Sequence, residues 1–141
     1  YLCTEKYMLD ALGERRWFRS QPLKSFYDAG AKVSLSTDFP IVEIDPFHNM
    51  YVAVTRLDLE GNEIGADTNE KIDTFQALHG YTYMGAYGMG AEKETGSLEA
   101  GKLADIAVIN GRVFDEAPEK LLDREAVLTM MDGRIVYEDK Q

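Results

Sequence analysis

Cysteine, histidine and basic charge are all scarce in this sequence. The single cysteine, Cys3, has no partner for an internal disulfide. That fits a reducing compartment and makes a cytoplasmic location the expectation. There are only two histidines, His48 and His79, against 25 acidic residues. A lone histidine among apolar neighbours, such as His48, reads as a surface or packing residue rather than a ligand. No apolar run approaches the length needed to span a bilayer, and no signal-peptide pattern is visible. The net charge is −10. Residues 1–91 hold 13 acids and 8 bases, and residues 92–141 hold 12 and 7, so the acidity is spread over the surface rather than gathered in a tail. Such a surface repels phosphate backbones and argues against a nucleic-acid partner. No repeat or low-complexity segment occurs. The chain opens on Tyr1 rather than Met, which suggests a piece of something longer.

What is present describes a packed protein. Apolar residues make up 45% and aromatics 11% of 141 residues, enough for the core of one ordinary domain. The stretch Lys32-Val33-Ser34-Leu35-Ser36-Thr37-Asp38-Phe39-Pro40 is the most informative. Val33 and Leu35 point to one face of a strand, and Gly30 and Pro40 bound the run. Asp38 then stands where a buried strand gives way to a loop. In an α/β barrel that is where catalytic side chains are placed, because the strand fixes the residue and the loop admits substrate. On this stretch alone, a carboxylate capping a turn or a helix start is the simpler account.

The flanking segments alternate. Tyr7 to Leu12 predict a short helix stopped by Gly13. Glu14-Arg15-Arg16-Trp17-Phe18-Arg19 reads as a loop that packs Trp17 and Phe18 and leaves the arginines in water. Residues 22–29 predict a helix, and with the strand at 32–37 they form an αβ unit of the kind found in parallel sheets. Asp45 and Pro46 are good N-cap and first-turn residues for a helix over 46–57, with Phe47, Met50, Tyr51, Val54 and Leu57 on one stripe and Arg56 one position off it. Residues 58–70 read as an exposed loop or lid. From about Lys71 to Tyr87 two short helices are expected, capped by Asn69 or Thr68 and separated by glycines. Ala104–Asn110 predicts a strand apolar on both faces. Residues 125–131 and 134–137 predict two more strands, joined by an Asp132-Gly133 hairpin turn. The switch in pattern places a boundary near residues 92–97.

Three stretches carry a family resemblance: Ser36-Thr37-Asp38-Phe39-Pro40, Ala53-Val54-Thr55-Arg56, and Gly96-Ser97-Leu98-Glu99-Ala100-Gly101-Lys102-Leu103-Ala104-Asp105. The chain resembles the C-terminal portion of a metal-dependent amidohydrolase, on the branch that includes N-substituted formamide deformylases. The resemblance implies an α/β fold: the C-terminal βα segment of a (β/α)₈ TIM barrel in residues 1–95, with 32–37 as its eighth strand. It further implies that 96–141 are the C-terminal strands of a small β-sandwich. It gives Asp38 the roles of general base and acid and of a metal contact. Thr37 and Phe39, with the loop to Asp45, become substrate-binding. The implied cofactor is a divalent metal, zinc foremost, which acidifies a bound water. The implied substrate is a small amide-like molecule.

The departures are equally informative. The early His-x-His pair, the mid-barrel Lys or Glu and the two later histidines of the superfamily have no counterpart here. His48 and His79 do not match ligand positions, and one Asp cannot hold a catalytic metal. The expectation is a chain that by itself binds no catalytic metal and is inactive, and that associates with itself or with the remainder of the enzyme. A non-catalytic binding or structural module derived from this fold, and a deaminase or isomerase of the same superfamily, are the alternatives.

Overall fold

A computed structural model describes residues 5–64 and 67–140; Cys3 and Gly65 fall outside them. Helices α1 (Glu5–Leu12) and α2 (Glu14–Phe18) meet at Gly13, whose φ of 71° turns the chain. The basic-aromatic cluster is therefore helical rather than a loop. Its arginines are exposed as expected, but of the two aromatics only Trp17 is buried. The Trp17 indole N–H donates to the Ile64 carbonyl at 3.1 Å, which ties this helix to the polar excursion. That excursion is consequently not all surface, since Ile64 is buried.

Helix α3 (Leu23–Asp28) ends in a Schellman turn. Gly30 N–H reaches Tyr27 O, Ala31 N–H reaches Phe26 O, and Gly30 supplies the left-handed φ of 75°. Residues 31–37 follow. A strand is expected over 32–37, but these residues pair in no ladder. A strand is defined by a neighbour, and among the described residues none lies beside this segment. It packs instead through Val33, which is buried, and through one backbone bond, Leu35 N–H to Gly80 O at 3.1 Å.

Helix α4 (Pro46–Thr55) begins as predicted: Asp45 caps it by accepting from Phe47 N–H at 2.8 Å, and Pro46 occupies the first turn. It is buried nearly all round, on Met50, Tyr51, Val52, Ala53 and Thr55, rather than along one stripe. It lies in the middle of the core, against α5 (Thr74–Tyr81) on one side and a 3₁₀ turn at Pro118–Asp123 carrying buried Leu121 on another. The N-cap of α5 is Asp73, not Asn69 or Thr68, which sit in a separate 3₁₀ turn. Asp73 accepts from Gln76 N–H, and the Gln76 side chain accepts from Asp73 N–H, forming a capping box. Helix α6 (Tyr83–Gly88) follows directly, as the second of the two expected short helices. The break falls at Thr82, with ψ −90°, and not at a glycine.

Strands β1 (Ile106–Ile109), β2 (Ala126–Met131) and β3 (Arg134–Glu138) form an antiparallel sheet in the order β1-β2-β3. Asp132 and Gly133, both at positive φ, make the predicted hairpin turn. The first strand is apolar on both faces as expected, but it is not buried on both. Ala107 and Val108 are exposed, because the strand has a single antiparallel neighbour and no helix layer over both sides. The fold is mixed α and β. Among the described residues no helix is long and apolar enough to cross a membrane.

Candidate active site

Asp38 stands at the elbow where the 31–37 segment turns. Its φ is +52°, a left-handed value that aspartate tolerates better than most residues, and it is exposed. The preceding hydroxyls set the elbow: Ser36 Oγ accepts from Asp38 N–H at 3.0 Å and Thr37 Oγ1 from Phe39 N–H at 3.3 Å. Ile41 N–H closes the turn on Asp38 O at 2.9 Å, across a cis Phe39–Pro40 peptide. Thr37 is half-buried, whereas Phe39, Ile41 and Ile44 on the following loop are exposed. The three sequence-predicted site residues, Thr37, Asp38 and Phe39, thus form one turn.

The two histidines are engaged elsewhere. His48 Nδ1 lies 3.3 Å from Glu43 Oε2, an approach that misses hydrogen-bond geometry, and Nε2 lies 3.9 Å from Asp45 Oδ2. His79 stacks between Phe75 and Tyr83, with ring centroids 5.7 and 5.3 Å away. Among the described residues no three His, Cys, Asp or Glu side chains converge to hold a metal. Asp38 offers a single hard oxygen donor, so these residues do not by themselves fit a metal centre. At the end of α5, burial and then the charge of Asp45 push the Tyr81 phenol up to about 12.

One buried cation and one largely buried one were not foreseen. Arg56 caps α4 with a left-handed φ of 61° and is fully buried. Its Nη1 donates to Gln21 O and its Nη2 to Ser20 O, each at 3.0 Å, which pins the end of α4 to the loop after α2. Burial holds its pKa below the ordinary arginine value, with Glu70 and then Asp67 pulling the other way. Lys102 is the second, its side chain only 9% exposed. Its Nζ donates to Glu92 O at 2.6 Å, Ser97 Oγ at 2.6 Å and Thr95 O at 3.4 Å, and it lies 5.4 Å from the centre of the Tyr83 ring. Nearby, Gly96 has a φ of 87°, and a Cβ there would meet Ala86 Cβ at 2.6 Å. Asp105 accepts from Thr95 Oγ1 and from Asp132 N–H, both at 2.9 Å.

Residues 1–137 match the amidohydrolase family. The chain belongs to that family. Within this amidohydrolase chain the stretch from Gly96 to Asp105 is a joint: Gly96 seats the loop on α6, Lys102 gathers its oxygens, and Asp105 fastens it to the β2–β3 turn. The chain is 35% identical over 117 residues to N-substituted formamide deformylase of Arthrobacter pascens, which covers 83% of this chain and 21% of the deformylase. An amidohydrolase from Thermotoga maritima MSB8 has a similar fold, with a TM-score of 0.64 over 98% of this chain and 35% of that one, at 18% identity. Guanine deaminase of E. coli is also similar in fold, with a TM-score of 0.59 over 84% of this chain and 30% of that one, at 24% identity. The amidohydrolase chain described here therefore spans about a fifth of the deformylase it matches. The charged residues that build the joint were missed because a lysine in a run of small residues gives no periodic signal; its only mark was the resemblance of the stretch itself.

Proposed function

We propose that the protein carrying this chain hydrolyses a carbon–nitrogen bond of an amide-like small molecule, with Asp38 as the group that moves the proton. The single observation that carries this is the exposed elbow at Asp38, locked by the hydroxyls of Ser36 and Thr37 and followed by exposed Phe39. An ionised carboxylate at that point takes a proton from the attacking water and returns it to the leaving nitrogen, which then departs as an amine. Thr37 and Phe39 border the substrate, and the match to N-substituted formamide deformylase makes N-substituted formamides the first substrates to try.

In this proposal residues 1–95 supply the last strand and helices of a (β/α)₈ barrel, with the end of segment 31–37 at its catalytic mouth. Residues 96–141 supply strands of a β-sandwich beside it. Asp38 would be one oxygen donor to a divalent metal, zinc foremost, with the other donors coming from the remainder of the enzyme.

The test is Asp38→Asn in the complete gene product, assayed against N-substituted formamides and amino-heterocycles. Asparagine keeps the shape and removes the base. Turnover is expected to fall by about three powers of ten with an unchanged circular dichroism spectrum. Hydrolysis within a few-fold of the parent would sink the assignment of Asp38. Activity only on amino-heterocycles would redirect the substrate to a deaminase type.

A further inference from the structure

The backbone that leads to Asp38 is registered against the last turn of α5. Leu35 N–H donates to Gly80 O at 3.1 Å, so a helix-terminal carbonyl that α5 leaves open is used to hold the segment three residues before the elbow. Gly80 is buried inside the helix and its φ is not in the left-handed region. Neither conformation nor helix propensity calls for glycine there. The space does: a Cβ on Gly80 would lie 2.8 Å from Leu35 Cγ and 3.2 Å from Leu35 Cδ1. The helix that presents Gly80 is itself fixed, by its Asp73–Gln76 capping box and by Tyr27 Oη donating to Gln76 O at 3.0 Å. From Leu35 the geometry runs on without slack, because the hydroxyls of the next two residues already hold Asp38 N–H and Phe39 N–H.

We propose that Gly80 is a positioning residue for Asp38: its missing side chain lets Leu35 seat on α5 and so sets where the carboxylate emerges. This rests on the assignment of Asp38 as the proton carrier. Gly80 acts through Leu35. Restoring ordinary contact, 3.4 Å or more, between a new Cβ and Leu35 Cγ moves one of them by at least the 0.6 Å that separates 2.8 from 3.4 Å. A misplacement of that order at a reacting group lowers turnover by roughly tenfold or more.

The experiment uses the complete gene product with an N-substituted formamide as substrate, and compares Gly80→Ala, Leu35→Ala, the double variant and Asp38→Asn. Gly80→Ala is expected to lower kcat by roughly tenfold with KM nearly unchanged. Leu35→Ala, which removes the branch that rests on Gly80, is expected to lower kcat as well. The double variant is expected to exceed both singles, because the new methyl group occupies the space the leucine branch has left. Two unrelated packing defects would instead add. A crystal structure of Gly80→Ala supplies a readout independent of substrate, with the Asp38 Cα displaced by about half an ångström relative to α5. Parental kcat in Gly80→Ala, an additive double variant, or an unmoved Asp38 each overturn the proposal. Should Gly80→Ala fail to fold, Leu35→Ala carries the test, and parental kcat there overturns it. If Asp38→Asn is inactive while Gly80→Ala is normal, only the positioning role falls; if Asp38→Asn is active, the assignment of Asp38 falls first.

Discussion

Removing the ammonium of Lys102 while keeping the length of its stem, as in Lys102→Met, tests the joint between the helices and the sheet. The contacts at 2.6 Å to Glu92 O and Ser97 Oγ are charge-assisted, each worth about 1.5–3 kcal/mol. The 3.4 Å contact to Thr95 O is long, and the Glu99 carboxylate, 3.6 Å away and mostly exposed, adds less than about 1 kcal/mol. Against this stands the cost of burying an ammonium, which the variant recovers. Because of that cost the low end of the range applies to each of the two bonds, so the loss comes to about 3 kcal/mol as the oxygens of Glu92 and Ser97 lose their donor. Amide hydrogen exchange reads it locally. Leu103 N–H, bonded to Glu94 O at 2.8 Å, and Thr95 N–H, bonded to Ala91 O at 3.0 Å, are closed by this loop. Their exchange should quicken by about two powers of ten in Lys102→Met, while the amides within α4 keep their protection. Exchange within about threefold of the parent at both amides would show that the ammonium is a passenger rather than the centre of the joint.

Two further predictions concern charge. Arg56→Lys keeps the cation but can no longer span the Ser20 and Gln21 carbonyls, so urea denaturation at neutral pH should show a loss of about 2 kcal/mol. Burial lowers the pKa of the group at this position, so the charged form is penalised in the folded state. The variant should therefore gain stability as pH rises from the depressed folded pKa towards about 10.4, the unfolded lysine value, a window in which the parent is flat; parallel midpoints for both proteins across it would refute this. Asp105 is held below the usual carboxylate range by Asp132 N–H first and the Thr95 hydroxyl second. Its contribution is thus fully present above the unfolded value of about 3.9 and is lost as pH falls through the lower folded one. With the intrinsic pH dependence of amide exchange divided out, the protection of Asp132 N–H should fall on that descent in the parent and be flat, but already lower, in Asp105→Asn; a parental profile in that variant would contradict the assignment.

Local signals were legible where the physics is local. The Asp45–Pro46 cap of α4 and the Asp132-Gly133 turn each depend on a few adjacent residues, and both were placed correctly from the sequence. The start of α5 was missed by four residues or so because two acidic caps, Asp67 and Asp73, stand close together and only the second has a glutamine at the reciprocal position. The 31–37 segment carries the alternation of a strand, but alternation reports which side chains face the core and not whether a partner strand lies alongside. Arg56 and Lys102 were out of reach for a related reason. Arg56 is buried by residues distant in sequence, the oxygens around Lys102 come from a loop with no periodic pattern, and a charged side chain is ordinarily read as solvated. Of the candidate site, the loop after the 32–37 run was legible, and Asp38 does stand in a turn there, held through its backbone N–H and carbonyl. The seat of Leu35 on Gly80 was not, since a glycine 45 positions further along the chain announces no contact.

The Lys102 joint also bears on how this protein responds to temperature. A seam of one ammonium and its oxygens hides little apolar area, so opening it changes the heat capacity only slightly. Apolar cores lose part of their grip as water cools; a polar clasp does not follow that curve. On cooling, the core around α4 therefore gives up a larger share of its stabilisation than the link from α6 to the sheet, because of the kind of contact each is made of.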